Sequence, residues 1–172
     1  MNASRDERLA QAIDLRRRGE LEPARQLLLA LRGEFPGDAQ VAMQTAWVHD
    51  CMGLEDEAVP HYRAALAAGL EGDDLHGSLL GLGSTYRALG RDAESEQTLR
   101  EAMQRFPDDR ALRVFHALTT DSLGRSREAV RQLLHVLLES TSDEGILRYR
   151  GALAAYADDL DRSWLRPPEA RD

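Results

Sequence analysis

Residues 79–91 read Leu79-Leu80-Gly81-Leu82-Gly83-Ser84-Thr85-Tyr86-Arg87-Ala88-Leu89-Gly90-Arg91, and Ser95, Leu99, Ala102 and Pro107 follow. Leu79, Leu82, Gly83 and Tyr86 recur at three- and four-residue steps, the spacing of one helical face. Gly90 supplies the left-handed conformation that ends this first helix. Ser95, Leu99 and Ala102 mark the inner face of a second helix, which Pro107 helps to stop because proline cannot continue it. The unit is helix, tight glycine turn, helix.

The same unit recurs on both sides. Gly19, Gly53, Gly90 and Gly124 are spaced by 34, 37 and 34 residues. A small residue lies seven positions before each glycine, at Ala12, Ala46, Gly83 and Ala117. Another lies five positions after, at Ala24, Ala58, Ser95 and Ala129, and a large apolar one four further on, at Leu28, Tyr62, Leu99 and Leu133. Small residues at both places let two helix backbones approach closely, and the large one fills the space beside them. Pro36 stands 71 residues before Pro107, which is 34 plus 37. A fixed period of this length marks a repeat architecture.

These residues resemble the tetratricopeptide repeat. The third unit matches best, with Leu79, Leu82-Gly83, Tyr86, Gly90, Leu99, Ala102 and Pro107. The second supplies Ala58, Tyr62 and Ala65, and the resemblance covers about residues 5–142. Departures occur at Arg8 and Gln11 in the first unit, Leu70 in place of proline in the second, and Thr120 in place of the tyrosine in the fourth. The stretch from Ala58 through Leu137, with its Leu89-Gly90-Arg91 and Leu123-Gly124-Arg125 turns, also resembles a bacterial subfamily of small tetratricopeptide proteins. That likeness implies protein–protein interaction and a homodimer, and names no substrate.

The expected fold is all-α: a right-handed α–α superhelix of four helix pairs plus a C-terminal capping helix. One solenoid domain spans residues 1–162, with repeats at about 5–38, 39–75, 76–109 and 110–143, and 163–172 is a tail carrying Pro167-Pro168. Helices are expected at about 5–18, 21–34, 38–52, 55–68, 73–89, 92–105, 108–123, 126–140 and 143–161. Gly69 is expected to end the fourth, Asp73 or Asp74 to cap the fifth, and Gly151 to take the small-residue position of the last. Helices 143–161 and its apolar run Gly151-Ala152-Leu153-Ala154-Ala155-Tyr156-Ala157 would leave an unpacked face at the end of the stack, which predicts pairing with a second copy.

Composition narrows the function. Hydrophobic residues make up 42% and charged residues 30% of the 172, ordinary for a folded chain. The balance of 22 basic against 30 acidic residues gives a net charge of −8, which opposes non-specific nucleic-acid binding. All 22 basic residues are arginine. The missing lysine removes Schiff-base chemistry and the P-loop. Scarce Asn and Ile beside absent Lys indicate a GC-rich, bacterial genome. One cysteine, Cys51, excludes an internal disulfide. No apolar run approaches the ~18 residues of a membrane helix, and the charged N-terminus lacks a signal-peptide core. Together these predict a soluble cytoplasmic protein that engages neither nucleic acid nor membrane.

Chemistry-bearing patterns resolve into structure. Gly77, Gly81 and Gly83 lack the third glycine (Tyr86 stands there) and the preceding strand of a dinucleotide loop, and read as close helix packing. His49, His61, His76, His116 and His135 form no His-x3-His pair. Asp73-Asp74 and Asp108-Asp109 fit helix starts, where carboxylates are favoured, and Asp158-Asp159 reads as solvated surface. The reading is therefore of a non-enzyme with no catalytic, cofactor or metal residues; an enzyme or metal protein with an unseen site is the alternative from another class.

The remaining signal is the inner stripe. By the family likeness the first helix of each pair lines a concave face, and one stripe reads Leu9, Ile13, Arg16; Met43, Trp47, Asp50; Leu80, Ser84, Arg87; Val114, Leu118, Asp121. Each triplet has i, i+4, i+7 spacing. The first two positions are apolar in seven of eight cases and the third alternates in sign. An apolar cleft with a charged rim suits a peptide or helix from a protein partner; alternatively the charges form a ladder between repeats, which is the favoured reading for them. Trp47 and Met43 could line groove or core. The lysine and asparagine of a chaperone-binding carboxylate clamp are absent from the stripe. The function expected is a protein-interaction scaffold, with filling of the apolar surface by a second copy as the alternative.

Overall fold

The computed structural model describes residues 4–160. Among the described residues the chain is a stack of antiparallel helix pairs: α1 Arg5–Arg17 with α2 Leu21–Glu34, α3 Ala39–Cys51 with α4 Glu55–Ala67, α5 Gly72–Ala88 with α6 Asp92–Arg105, and α7 Arg110–Ser122 with α8 Ser126–Ser140. Each second helix also packs on the first helix of the next pair, and α1, α3, α5 and α7 touch in sequence, forming the inner rank. The expected α–α superhelix is what the chain builds.

Four identical turns set the repeat. Gly19, Gly53, Gly90 and Gly124 have φ between 69° and 79°, and a Cβ there would meet nothing. Glycine is needed for its conformation alone. In each turn the glycine N–H donates to the carbonyl three residues back, as from Gly90 to Arg87 at 3.0 Å. The next residue donates to the carbonyl five back, as from Arg91 to Tyr86 at 2.8 Å. These paired bonds satisfy helix-end carbonyls. Because the backbone closes the turn, α2, α4, α6 and α8 begin without a side-chain cap. Helices α1, α3 and α7 instead begin with side-chain caps, Ser4, Asp38 and Asp109, each accepting from a backbone N–H in the first helical turn.

The expected small residues meet at the helix crossings. Ala12, Ala24, Ala46, Ala58 and Ala117 are fully buried, as are Leu28 and Leu99 beside them. In the third pair a Cβ on Gly83 would stand 2.6 Å from Leu99 Cγ, so the backbone contact needs glycine. Ser95, where other repeats have alanine, spends its hydroxyl on the Gly83 carbonyl at 2.7 Å. Thr120, in place of the family tyrosine, is likewise buried and donates to the His116 carbonyl at 2.9 Å. Helices α2 and α6 end at Glu34 and Arg105, with Phe35 and Phe106 as C-caps immediately before Pro36 and Pro107.

Three expectations are corrected. The single helix over 143–161 is two, α9 Glu144–Leu147 and α10 Arg150–Asp158, with a turn at Arg148–Tyr149. Gly145 and Gly151 flank the break, and each weakens helix by ~1 kcal/mol relative to alanine. Gly151 faces no neighbour; α10 packs on α8 through the buried Ala157 instead. Neither Asp73 nor Asp74 caps α5: the helix starts at Gly72 with Glu71 as N-cap, and both aspartates lie in its first turn, where they complement the helix dipole. The expected tail at 163–172 lies outside the described residues.

Candidate functional site

The inner rank places the predicted stripe in two unlike halves. In the N-terminal half, Leu9, Ile13 and Arg16 from α1 meet Met43 and Trp47 from α3. With Arg17, Gln40, Gln44 and Asp74 they line a cavity of about 330 Å³. Trp47 forms its wall. The Arg16 guanidinium lies over the Trp47 ring, 5.1 Å from its centroid, a cation–π geometry. On the far side the ring edge runs against Gly77 of α5, where a Cβ would stand 2.8 Å from it. Gly77 thus makes room for Trp47 to wedge between the first three inner helices, part core and part surface. Met43 and Leu9 are only 2% and 5% exposed. They belong to the core and form the floor of the cavity, so Met43 takes the core side of the two places open to it.

The C-terminal half of the stripe is more open. Leu80 packs partly against a core cluster, Val114 is half-buried, and Leu118 is 37% exposed. This part of the stripe is an open apolar surface. Arg87 at its edge donates to Ser122 Oγ at 3.1 Å, and Asp121 is exposed.

The charges at the third stripe position do not form a ladder. Among the described residues no ion pair joins Arg16 to Asp50 or Arg87 to Asp121. Asp50 turns inward: the Tyr62 hydroxyl donates to its Oδ2 at 2.5 Å, and Thr85 Oγ1 lies 2.9 Å from Oδ1. Tyr62 reaches Asp50 from α4 by passing over Gly81, whose missing side chain leaves the space. Burial pushes the Asp50 carboxyl above its usual range, and the Tyr62 and Thr85 bonds pull the other way. Gly77, Gly81 and Gly83 therefore serve close packing, each against a different large side chain.

The histidines are dispersed. His49 is buried with Nδ1 2.7 Å from the Thr45 carbonyl, and its ring lies 5.1 Å from that of His61. Burial, then the neighbouring His49 and Arg32, push His61 down to about 4. His76 Nε2 sits 2.9 Å from Asp109. Cys51 is exposed while His49 is buried, so the two point apart. Among the described residues no group of three or more His, Cys, Asp or Glu side chains could hold a metal ion. No described helix is long and apolar enough to cross a membrane.

Sequence reasoning missed Gln44, Gln40, Arg17 and Asp74 as cavity residues. A signal was present for Gln44, a long polar side chain in the otherwise apolar or small run Val41 to Ala46, all of which is buried.

Comparison with known proteins gives a consistent result. The family model for the tetratrico peptide repeat matches residues 39–160. No curated protein matches the chain. Two solved structures share its fold. YrrB, described as a TPR protein with an unusual peptide-binding site, superposes with a TM-score of 0.69 at 20% identity, over 90% of this chain and 78% of that one. MamA AMB-1 superposes with a TM-score of 0.67 at 22% identity, over 84% of this chain and 78% of that one.

Proposed function

Since the chain belongs to the tetratricopeptide repeat family, whose members serve broadly as protein-interaction scaffolds, we propose that it is a non-catalytic adaptor of the bacterial cytoplasm that holds a peptide or helix of a protein partner in its concave groove. One observation carries this reading. A row of incompletely buried apolar side chains, Ile13, Trp47, Leu80, Val114 and Leu118, crosses all four inner helices. Ile13, Trp47 and Leu80 also pack against the core, and the apolar surface that the row leaves open suits the apolar face of a partner. The peptide-binding site named for YrrB, a protein of the same fold, supports it.

The test is selection of short peptides on the purified chain, followed by binding to Leu118→Asp. The reading requires loss of binding with an unchanged melting temperature, because Leu118 is a surface residue. Binding that tolerates Leu118→Asp and Trp47→Ala alike would place the ligand elsewhere.

A second reading has its own observation. At the C-terminal end Tyr149, Tyr156, Val130 and Leu137 are 62%, 37%, 45% and 37% exposed. Aromatic and aliphatic side chains left open together favour an interface, and a second copy pairing through this end is the alternative partner. Light scattering over a concentration series tests it.

A further inference from the structure

The cavity between α1, α3 and the start of α5 contains polar atoms that nothing among the described residues satisfies. Gln44 is only 6% exposed, yet among the described residues its side chain makes no hydrogen bond, and its Oε1 is buried without a partner. Arg16 Nε, beside it in the same cavity, is also buried and unpartnered. Buried polar groups are almost always paired, with protein or with water, and these two line one and the same cavity.

The charges point the same way. Arg5, Arg8, Arg25, Arg91, Arg113 and Arg125 each hold a carboxylate. Arg16 and Arg17 hold none among the described residues, although the chain carries 30 acidic residues. Asp74, the one carboxylate lining the cavity, is engaged by Gln40 Nε2 at 3.4 Å. Two adjacent guanidiniums, one of them stacked on Trp47, thus meet no carboxylate among the described residues in a cavity walled by an indole ring.

We propose, resting on the groove reading above, that this cavity selects a peptide bearing an acidic side chain next to a large apolar one. The peptide carboxylate accepts from Arg16 Nε and Arg17, whose planar donor forks suit it. The neighbouring backbone N–H donates to Gln44 Oε1. The apolar side chain lies against Trp47 and Ile13. An inorganic anion would answer the arginines but brings no donor for Gln44 and leaves the apolar wall unused, so the combination fits a peptide. Arg16 and Gln44 are specificity residues at the N-terminal end of the apolar row, apart from Leu118 at its other end.

The probe is a phage-displayed library of random short peptides, panned on the full chain, with enriched peptides then synthesised for calorimetry. Enriched sequences should carry Asp or Glu beside a large apolar residue. Their affinity should fall about tenfold in Arg16→Gln and by a similar factor in Gln44→Leu. Gln44→Leu should at the same time raise the melting temperature, because it removes an unpaired buried amide from an apolar run. Weaker binding with a stabler fold is an outcome that mere damage to the structure does not produce. Peptides without acidic residues that bind in a Leu118-dependent way and ignore Arg16→Gln would leave the groove reading standing and overturn this proposal. Unchanged affinity in Gln44→Leu would also overturn it. No groove-dependent enrichment at all would remove both.

Discussion

The two halves of the inner surface are cut from one repeat and differ in what they leave unfinished. The first two pairs fold Leu9 and Met43 inward, wedge Trp47 against Gly77, and leave unpaired hydrogen-bonding groups around a cavity. The last two pairs leave apolar carbon open at Leu118, and beyond it Val130, Leu137, Tyr149 and Tyr156. The difference is one of information. An open apolar surface is satisfied by any greasy neighbour, a second copy included. A half-closed cavity with unpaired amide and guanidinium groups discriminates, because it penalises every ligand that fails to match them.

The largest expected effect tests the wedge. Trp47→Ala should lose about 3 kcal/mol in denaturant unfolding, toward the lower end for a tryptophan truncation because part of the ring is exposed. Leu118→Ala, in the open half, should stay within about 1 kcal/mol. Equal losses would erase the distinction between the halves. Next comes the packing between paired helices that both halves share. Ala58→Leu forces methylenes into a fully buried crossing and should lose about 1–3 kcal/mol, while Glu57→Leu on the exposed side should stay within about 0.5 kcal/mol.

A smaller effect follows pH. His61 titrates near 4 in the folded chain and near its ordinary value of about 6.5 when unfolded. The unfolded state takes up the proton first, so stability is full above about pH 6.5 and declines as pH falls toward 4. Because the ring is half-exposed, solvent screening holds the loss to the order of 1 kcal/mol. His61→Leu should flatten that part of the unfolding-versus-pH curve; an unchanged slope would mean the ring is freely solvated. The smallest effect on stability belongs to the far end. Tyr149→Arg should leave the melting temperature nearly unchanged and abolish a concentration-dependent dimer in light scattering. A strict monomer at high micromolar concentration would remove the second-copy reading.

The repeat was legible because it is written in residues with one physical use. A glycine at positive φ and a small residue at a helix crossing admit few substitutes, so their period shows through in the sequence. The stripe was legible in part, since helical spacing tells which residues share a face. It cannot tell how deep that face lies. Met43 and Trp47 hold the first two places of one triplet, and Gly77 on another helix lets one become a wall while the other becomes floor. Asp50 shared a position with Arg16 and Arg87, but Tyr62, passing over Gly81, drew it inward. The break at Arg148–Tyr149 was hidden for the opposite reason: Gly151 resembled the small residue of a packed helix when, with Gly145, it was loosening one.

The most direct measurement uses Trp47 itself. With Trp164→Phe removing the second emitter, Trp47 fluorescence and its acrylamide quenching are followed while an enriched acidic–apolar peptide is added. A partly open ring under Arg16 should be moderately quenchable alone, then blue-shift and become protected as the peptide fills the cavity, with the response moved to about tenfold higher peptide concentration in Gln44→Leu. Peptide binding that leaves Trp47 emission and quenching unchanged would contradict the claim that the N-terminal half of the groove is the recognition site.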